Sequence, residues 1–182
     1  MMDMYHIQKS LFLGWLREEK GVAVTEMALL FPLLISIMMG VYDLGQGIIV
    51  NHKTINASQI IGDLITRNQN LTFAEVEDIV NAGQMAYAPY PSAPMGYDII
   101  SVEFDPAGIP VVLWRVTDNM APNATVLASL TDLAEPGEGL VIVSVAYAYV
   151  PFFSNFIIDQ FDMMEVSFLR GRRSAVVACA DC

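Results

Sequence analysis

Apolar residues run almost unbroken from Val22 to Tyr42, 21 positions with one charge, Glu26. As a helix at about 1.5 Å per residue this stretch spans about 31 Å, the hydrocarbon thickness of a bilayer. Beyond it the pattern becomes amphipathic. Ile48, Ile49, Ile55, Ile60, Ile61, Leu64 and Ile65 recur at helical spacing among polar residues, and no proline follows Pro32 until Pro89. The spacing predicts that the helix continues as a stem to about Arg67, burying one stripe against a head. Thr72-Phe73-Ala74-Glu75 reads as a capping box opening a second helix to about Met85, with Phe73, Val76, Ile79, Val80 and Gly83 on its packing face. The prolines of the segment from Ala88 to Pro94 impose a non-helical connector.

The period then changes to two. Ile100, Val102 and Phe104 alternate with Ser101, Glu103 and Asp105, a half-buried strand. After the turn Asp105-Pro106-Ala107-Gly108, a second strand sets Val112, Trp114 and Val116 on one face. Val126, Leu127, Leu130 and Leu133 suggest a short helix before the Pro136-Gly137 break. Leu140 to Val150, apolar on both faces, reads as a central strand, and a final hairpin is expected around Arg170-Gly171-Arg172-Arg173. The expected fold class is α+β: a long N-terminal transmembrane and stem helix packed on a small antiparallel sheet head. Its parts are a leader over 1–21, the transmembrane and stem helix over 22–67, and the exported head over 68–182.

Composition agrees with one domain plus an appendage. The 182 residues are 54% hydrophobic and 16% charged, which excludes a disordered chain. A mean hydropathy of +0.47 suggests one segment made for lipid. Nine basic residues face twenty acidic ones, for a net charge of −11. An acidic surface repels phosphates and argues against a nucleic-acid partner.

Lys9, Arg17 and Lys20 precede the apolar stretch, whereas the nearest basic residue after it is Lys53. This bias sets the N-terminus in the cytoplasm and the bulk outside. The segment after the stretch, Tyr42-Asp43-Leu44-Gly45-Gln46-Gly47, lacks small residues in an A-x-A arrangement, so the stretch reads as a retained anchor. Glu26 either faces headgroups one turn into the helix or needs a positive partner, because a carboxylate among lipid tails costs about 2.5–3.5 kcal/mol or more. Cutting the chain between Gly21 and Val22 would place a new α-amine four residues before Glu26, the distance of a helical ion pair. Pro32 is either an ordinary membrane-helix proline or a kink that eases extraction from the bilayer.

Gly21-Val22-Ala23-Val24-Thr25-Glu26 resembles the prepilin-peptidase motif of type IV pilins. Its continuation Met27-Ala28-Leu29-Leu30-Phe31-Pro32, with Gly40-Val41-Tyr42-Asp43-Leu44-Gly45, is similar to the TadE/TadG-like minor pilins, or pseudopilins, of tight-adherence (Flp-type) pili. Met27 stands where that family usually carries an aromatic residue. Tyr147-Ala148-Tyr149-Val150-Pro151 and Arg170-Gly171-Arg172 resemble its closing pattern less specifically. The resemblance implies cleavage between Gly21 and Val22 by prepilin peptidase and axial register set by Glu26 against a neighbour's amine. The implied partners are other pilin or pseudopilin subunits, the inner-membrane pilus assembly machinery and the lipid bilayer. The implied role is pilus assembly, surface adhesion and biofilm formation. The implied location is the bacterial inner membrane, single-pass with the head periplasmic, or the extracellular pilus. The alternative is a bitopic inner-membrane subunit of the pilus or secretion machine that is neither cleaved nor incorporated.

No catalytic constellation, cofactor site or metal site is expected, so the chain reads as a non-enzyme. Cys179-Ala180-Asp181-Cys182 suits a small terminal disulfide formed outside the cytoplasm, or two cysteines without consequence. His52 with the two cysteines lacks paired metal-ligand spacing, and His6 lies in the leader. Arg170, Arg172 and Arg173 suggest a solvated hairpin tip, or else a docking patch for an acidic subunit. Phe152, Phe153, Phe156, Ile157 and Phe161 read as core, with a subunit-contact or membrane-skimming patch as the alternative.

Overall fold

The computed structural model describes residues 22–130, 135–153 and 159–182. The leader with Gly21 and His6, and Leu133, Phe156 and Ile157, lie outside the described residues. Helix α1 runs over Val22–Thr66. It is followed by β1 (Asn70–Leu71), α2 (Phe73–Gln84), a 3-10 turn (Met85–Tyr87), β2 (Met95–Phe104) and β3 (Pro110–Asp118). The chain continues through α3 (Thr125–Ala128), β4 (Gly139–Tyr149), β5 (Phe161–Leu169) and β6 (Ala178–Cys179). The fold is α+β, a long apolar helix and a small antiparallel sheet. The chain divides into two compact units between Tyr42 and Asp43.

In the first unit none of residues 22–42 is buried, and Leu29, Phe31, Leu33, Leu34 and Met38 are all more than half exposed. A helix of this length and apolarity is able to cross a membrane.

In the second unit the four-stranded sheet has the order β3-β2-β4-β5, antiparallel throughout. One face packs on the stem part of α1 and on α2. Its core holds Val50, Ala57, Ile61 and Ile65 from α1, Val76 and Val80 from α2, and Ile99, Val143 and Val145 from the sheet. The other face is covered by the segment around α3 and holds Ile100, Val102, Phe104, Val126, Leu130, Leu140 and Ile142.

The buried stripe of the stem differs from the expected row of isoleucines. Ile48 and Ile49 are exposed, and the seam is made by Val50, Thr54, Ala57, Ser58, Ile61, Gly62 and Ile65. Small residues prevail because two elements approach closely. A Cβ on Gly62 would collide with the Leu169 side chain, and one on Gly83 would lie 2.5 Å from Ile61 Cγ1. The hydroxyls buried there are satisfied: Thr54 donates to the Val50 carbonyl at 3.0 Å, and the Ser58 and Ser167 hydroxyls bond at 2.8 Å.

Three further expectations are corrected. β2 is buried on both faces, not half-buried, because its alternate polar residue Ser101 lies inside, donating to the Val177 carbonyl at 2.8 Å. A register shift between Ser101 and Val102 opposes them to Trp114 and Val112 and leaves Leu113 unmatched. This bulge puts Val112 on the opposite face from Trp114 and Val116. No hairpin forms at Arg170–Arg173; the chain leaves β5 and brings β6 into parallel pairing with β1, Asn70 opposite Ala178. The basic loop instead closes on the C-terminal end of α1. The Arg172 amide donates to the Thr66 carbonyl at 2.9 Å, and its guanidinium sits 2.5 Å from Asp63. Cations are favoured at that end of a helix.

Candidate anchor and assembly site

Val22 opens the described part of α1, half exposed, and the Thr25 hydroxyl donates back to its carbonyl at 2.8 Å. Glu26 lies exposed on the same helix among Val24, Met27, Leu29 and Leu30. Pro32 has no N–H to offer the carbonyl of Ala28, yet α1 continues through it. One turn on, the Ser36 hydroxyl lies 2.9 Å from the carbonyls of both Pro32 and Leu33. A hydroxyl that turns back in this way is itself a common cause of helix bending.

Three side-chain clusters of the head were not foreseen from the sequence. The Asp43 carboxylate, almost fully buried, accepts the backbone N–H groups of Phe152 and Phe153 at 3.0–3.2 Å, and the Tyr149 hydroxyl reaches the Asp43 carbonyl at 3.4 Å. This ties the end of β4 and the residues beyond it to α1, one position after the apolar stretch. The available signal was an acid immediately following a membrane-length run, a position that needs a donor.

Farther along the stem, the Lys53 ammonium donates to the carbonyls of Ala86 and Ala88 at 3.1 and 2.6 Å and lies over the Tyr90 ring. The Tyr90 hydroxyl bonds Gln46. Tyr87 stacks on Tyr147 with ring centroids 4.7 Å apart and donates to Thr54 at 3.1 Å. Burial pushes the Tyr87 phenol up to about 12, with Thr54 opposing and Tyr147 adding to the shift. Tyr87 and Tyr147, both raised by burial, stay neutral and act as packing groups with one polar tip.

On the other face of the sheet Asp98 is fully buried. It accepts from Arg115 at 2.8 and 2.6 Å, from the Thr117 hydroxyl at 2.7 Å and from the Asn123 amide at 2.8 Å. Burial alone would raise its carboxyl, but these bonds and the Arg115 charge outweigh it and hold the group below the ordinary carboxylate range. Every acceptor position faces a donor, so the cluster fixes the 119–125 segment rather than offering a reactive acid.

Cys179 and Cys182 form a disulfide. Its loop presents Asp181, whose carboxylate accepts the Phe73 amide at 2.7 Å at the N-terminus of α2. The α2 start also carries the full capping box between Thr72 and Glu75. With both sulfurs joined, the Cys179, Asp181 and Cys182 grouping has no thiolate to give a metal. His52 lies on the exposed side of α1, facing a groove with Phe161 and Asp162. Arg170 and Arg172 pair with Glu138 and Asp63. Phe152 is exposed rather than core, and Phe161 is also more than a third exposed.

No curated protein and no solved structure matches this chain. A family model described as TadE-like protein matches residues 21–61. That segment begins at Gly21, contains Val22, Glu26 and Pro32, and ends at Ile61 in the packed seam of the stem. Over its apolar stretch and most of its stem, this chain is therefore similar to TadE-like proteins.

Proposed function

We propose that the protein is a minor pilin or pseudopilin of a tight-adherence pilus, cut between Gly21 and Val22 by prepilin peptidase and drawn from the inner membrane into the assembling fibre. The observation that carries this reading is the TadE-like match over residues 21–61, coinciding with a helix exposed along its first half and packed on a sheet along its second. An exposed apolar rod is stable only in lipid or against other such rods, which is what a subunit passing from membrane to filament requires. The leader removes three basic and three acidic residues, so the mature chain would keep its net charge of −11 with six basic and seventeen acidic groups.

In this reading the N-terminus is cytoplasmic, the head is periplasmic and the protein performs no catalysis of its own; the leader is the substrate of another enzyme. N-terminal sequencing of the protein from cells with an active prepilin peptidase tests it. A chain beginning at Val22 is expected. One beginning at Met1 would leave a bitopic, uncleaved subunit of the machine instead.

A further inference from the structure

The head carries an apolar collar around the point where α1 enters it. Leu44 and Ile48, one turn apart on α1, are 64% and 61% exposed; Val150 and Phe152, just past β4, are 56% and 74% exposed. Phe161, at the start of β5, borders the same groove of about 380 Å³ as Leu44 and Ile48. Asp43 fixes the collar's position along the chain, because its carboxylate holds the amides of Phe152 and Phe153. The aromatic pair, ring centroids 4.8 Å apart, is thereby pinned to the residue directly after Tyr42, the last position of the membrane-length apolar stretch.

We propose that this collar is a lipid-contacting surface, seated in the headgroup and upper acyl region of the bilayer while the protein is anchored. The inference rests on the membrane-anchor part of the proposed function. Covalent continuity is the argument for lipid as the occupant: if α1 spans the bilayer through Tyr42, Asp43 lies at the membrane surface, and whatever Asp43 holds lies there too. Phenylalanine and leucine on an apolar face suit burial at the headgroup and acyl boundary. The acids lining the groove are Asp43 and Asp162, with His52 beside them, and among the described residues no lysine or arginine lines it. Contact is therefore apolar insertion rather than attraction to anionic headgroups, and is insensitive to salt. Extraction into a fibre would uncover the collar, so the same surface sets a resistance to leaving the membrane.

The test uses the full-length protein with Trp15→Phe, reconstituted in phosphatidylcholine vesicles with brominated acyl chains. Single tryptophans are added at Phe152, Val150, Leu34 or Ile109, and emission is read relative to the parent, which keeps the buried Trp114. Ile109 lies in the β2–β3 turn, at the end of the sheet away from Tyr149, about 33 Å distant for ten residues of strand. Phe152→Trp and Val150→Trp are expected to lose most of their added emission to bromine near the glycerol end of the chains. Leu34→Trp should respond to deep bromine, Ile109→Trp to neither, and raising salt should change nothing.

Quenching at Leu34→Trp with none at Phe152→Trp or Val150→Trp overturns the collar while keeping the anchor. No quenching at Leu34→Trp overturns the anchor itself, and the collar with it. Equal quenching at Ile109→Trp means the head lies on lipid without preference, which also overturns the proposal. So does a blue shift of Phe152→Trp that follows protein concentration and ignores bromine, the behaviour of a protein-docking face.

Discussion

Both oxygens of the fully buried Asp98 carboxylate meet the Arg115 guanidinium, at 2.8 and 2.6 Å. The two residues occupy adjacent strands, and Arg115 keeps a quarter of its side chain in solvent. Removing either partner therefore has unequal consequences. Arg115→Ala leaves a buried carboxylate short of its cation and is expected to cost about 3–5 kcal/mol. Asp98→Asn leaves a guanidinium that still reaches water, and should cost less. Urea denaturation at neutral pH measures both, and equal losses would contradict this account.

The same pair sets a pH dependence. The Asp98 carboxyl is lowered in the folded state from its ordinary value of 3.8. The unfolded chain then binds more protons than the folded one in the acid range, so stability rises with pH there. The contribution is fully present above the ordinary carboxylate value and is lost as pH falls through the lower folded value. Stability of the wild type measured from neutral to acid pH should fall more steeply in that window than stability of Asp98→Asn.

Gly83 faces Ile61 where α2 crosses the stem, and an added Cβ would lie 2.5 and 2.7 Å from its Cγ1 and Cδ1. Glycine to alanine inside a helix gains about 1 kcal/mol of propensity, whereas forcing a methyl into a packed seam costs about 1–3 kcal/mol. Overpacking prevails, so Gly83→Ala is expected to be neutral to about 2 kcal/mol destabilising. A thermal melt showing clear stabilisation would mean that Ile61 yields freely.

How much of this was legible in the chain divides by the range of the interaction. The anchor, the capping box at Thr72 and the central strand β4 are written in local period and could be read directly. The stem seam was legible only in part, at Ile61 and Ile65, because periodicity rewards bulky isoleucines, while close approach of α2 and β5 selected Ala57, Ser58 and Gly62. The β1–β6 pairing and the Asp43 and Asp98 clusters join residues 17 to 110 positions apart, and no local window contains both partners. The basic run at Arg170–Arg173 looked like a tip because its acids, Glu138 and Asp63, are likewise distant.

The disulfide between Cys179 and Cys182 closes a loop of only a few residues, so in the chain-entropy account it stabilises by about 2 kcal/mol at most. Its larger effect is expected to be local, since the loop carries Asp181 to the Phe73 amide. In the Cys179→Ser, Cys182→Ser variant, hydrogen exchange at Phe73 and across β1–β6 should accelerate while the Asp98 region keeps its protection. Uniform acceleration through the whole head would assign the disulfide a global role instead.

Glu26 separates the two steps of the proposed assembly. It is exposed among apolar neighbours on α1, where an unpaired carboxylate is costly in lipid and where an amine four residues away or on a neighbouring helix would neutralise it. The leader bond lies five residues upstream of Glu26, so Glu26→Ala should leave cleavage largely intact while strongly reducing recovery of the protein in sheared pili. Glu26→Asp keeps the charge on a shorter arm and should recover part of the incorporation; Glu26→Gln, isosteric but neutral, should not. Immunoblots of membrane and pilus fractions, read for both mass and location, distinguish the steps. Normal incorporation of Glu26→Ala would remove charge pairing as the source of register and leave packing of the apolar rods to set it.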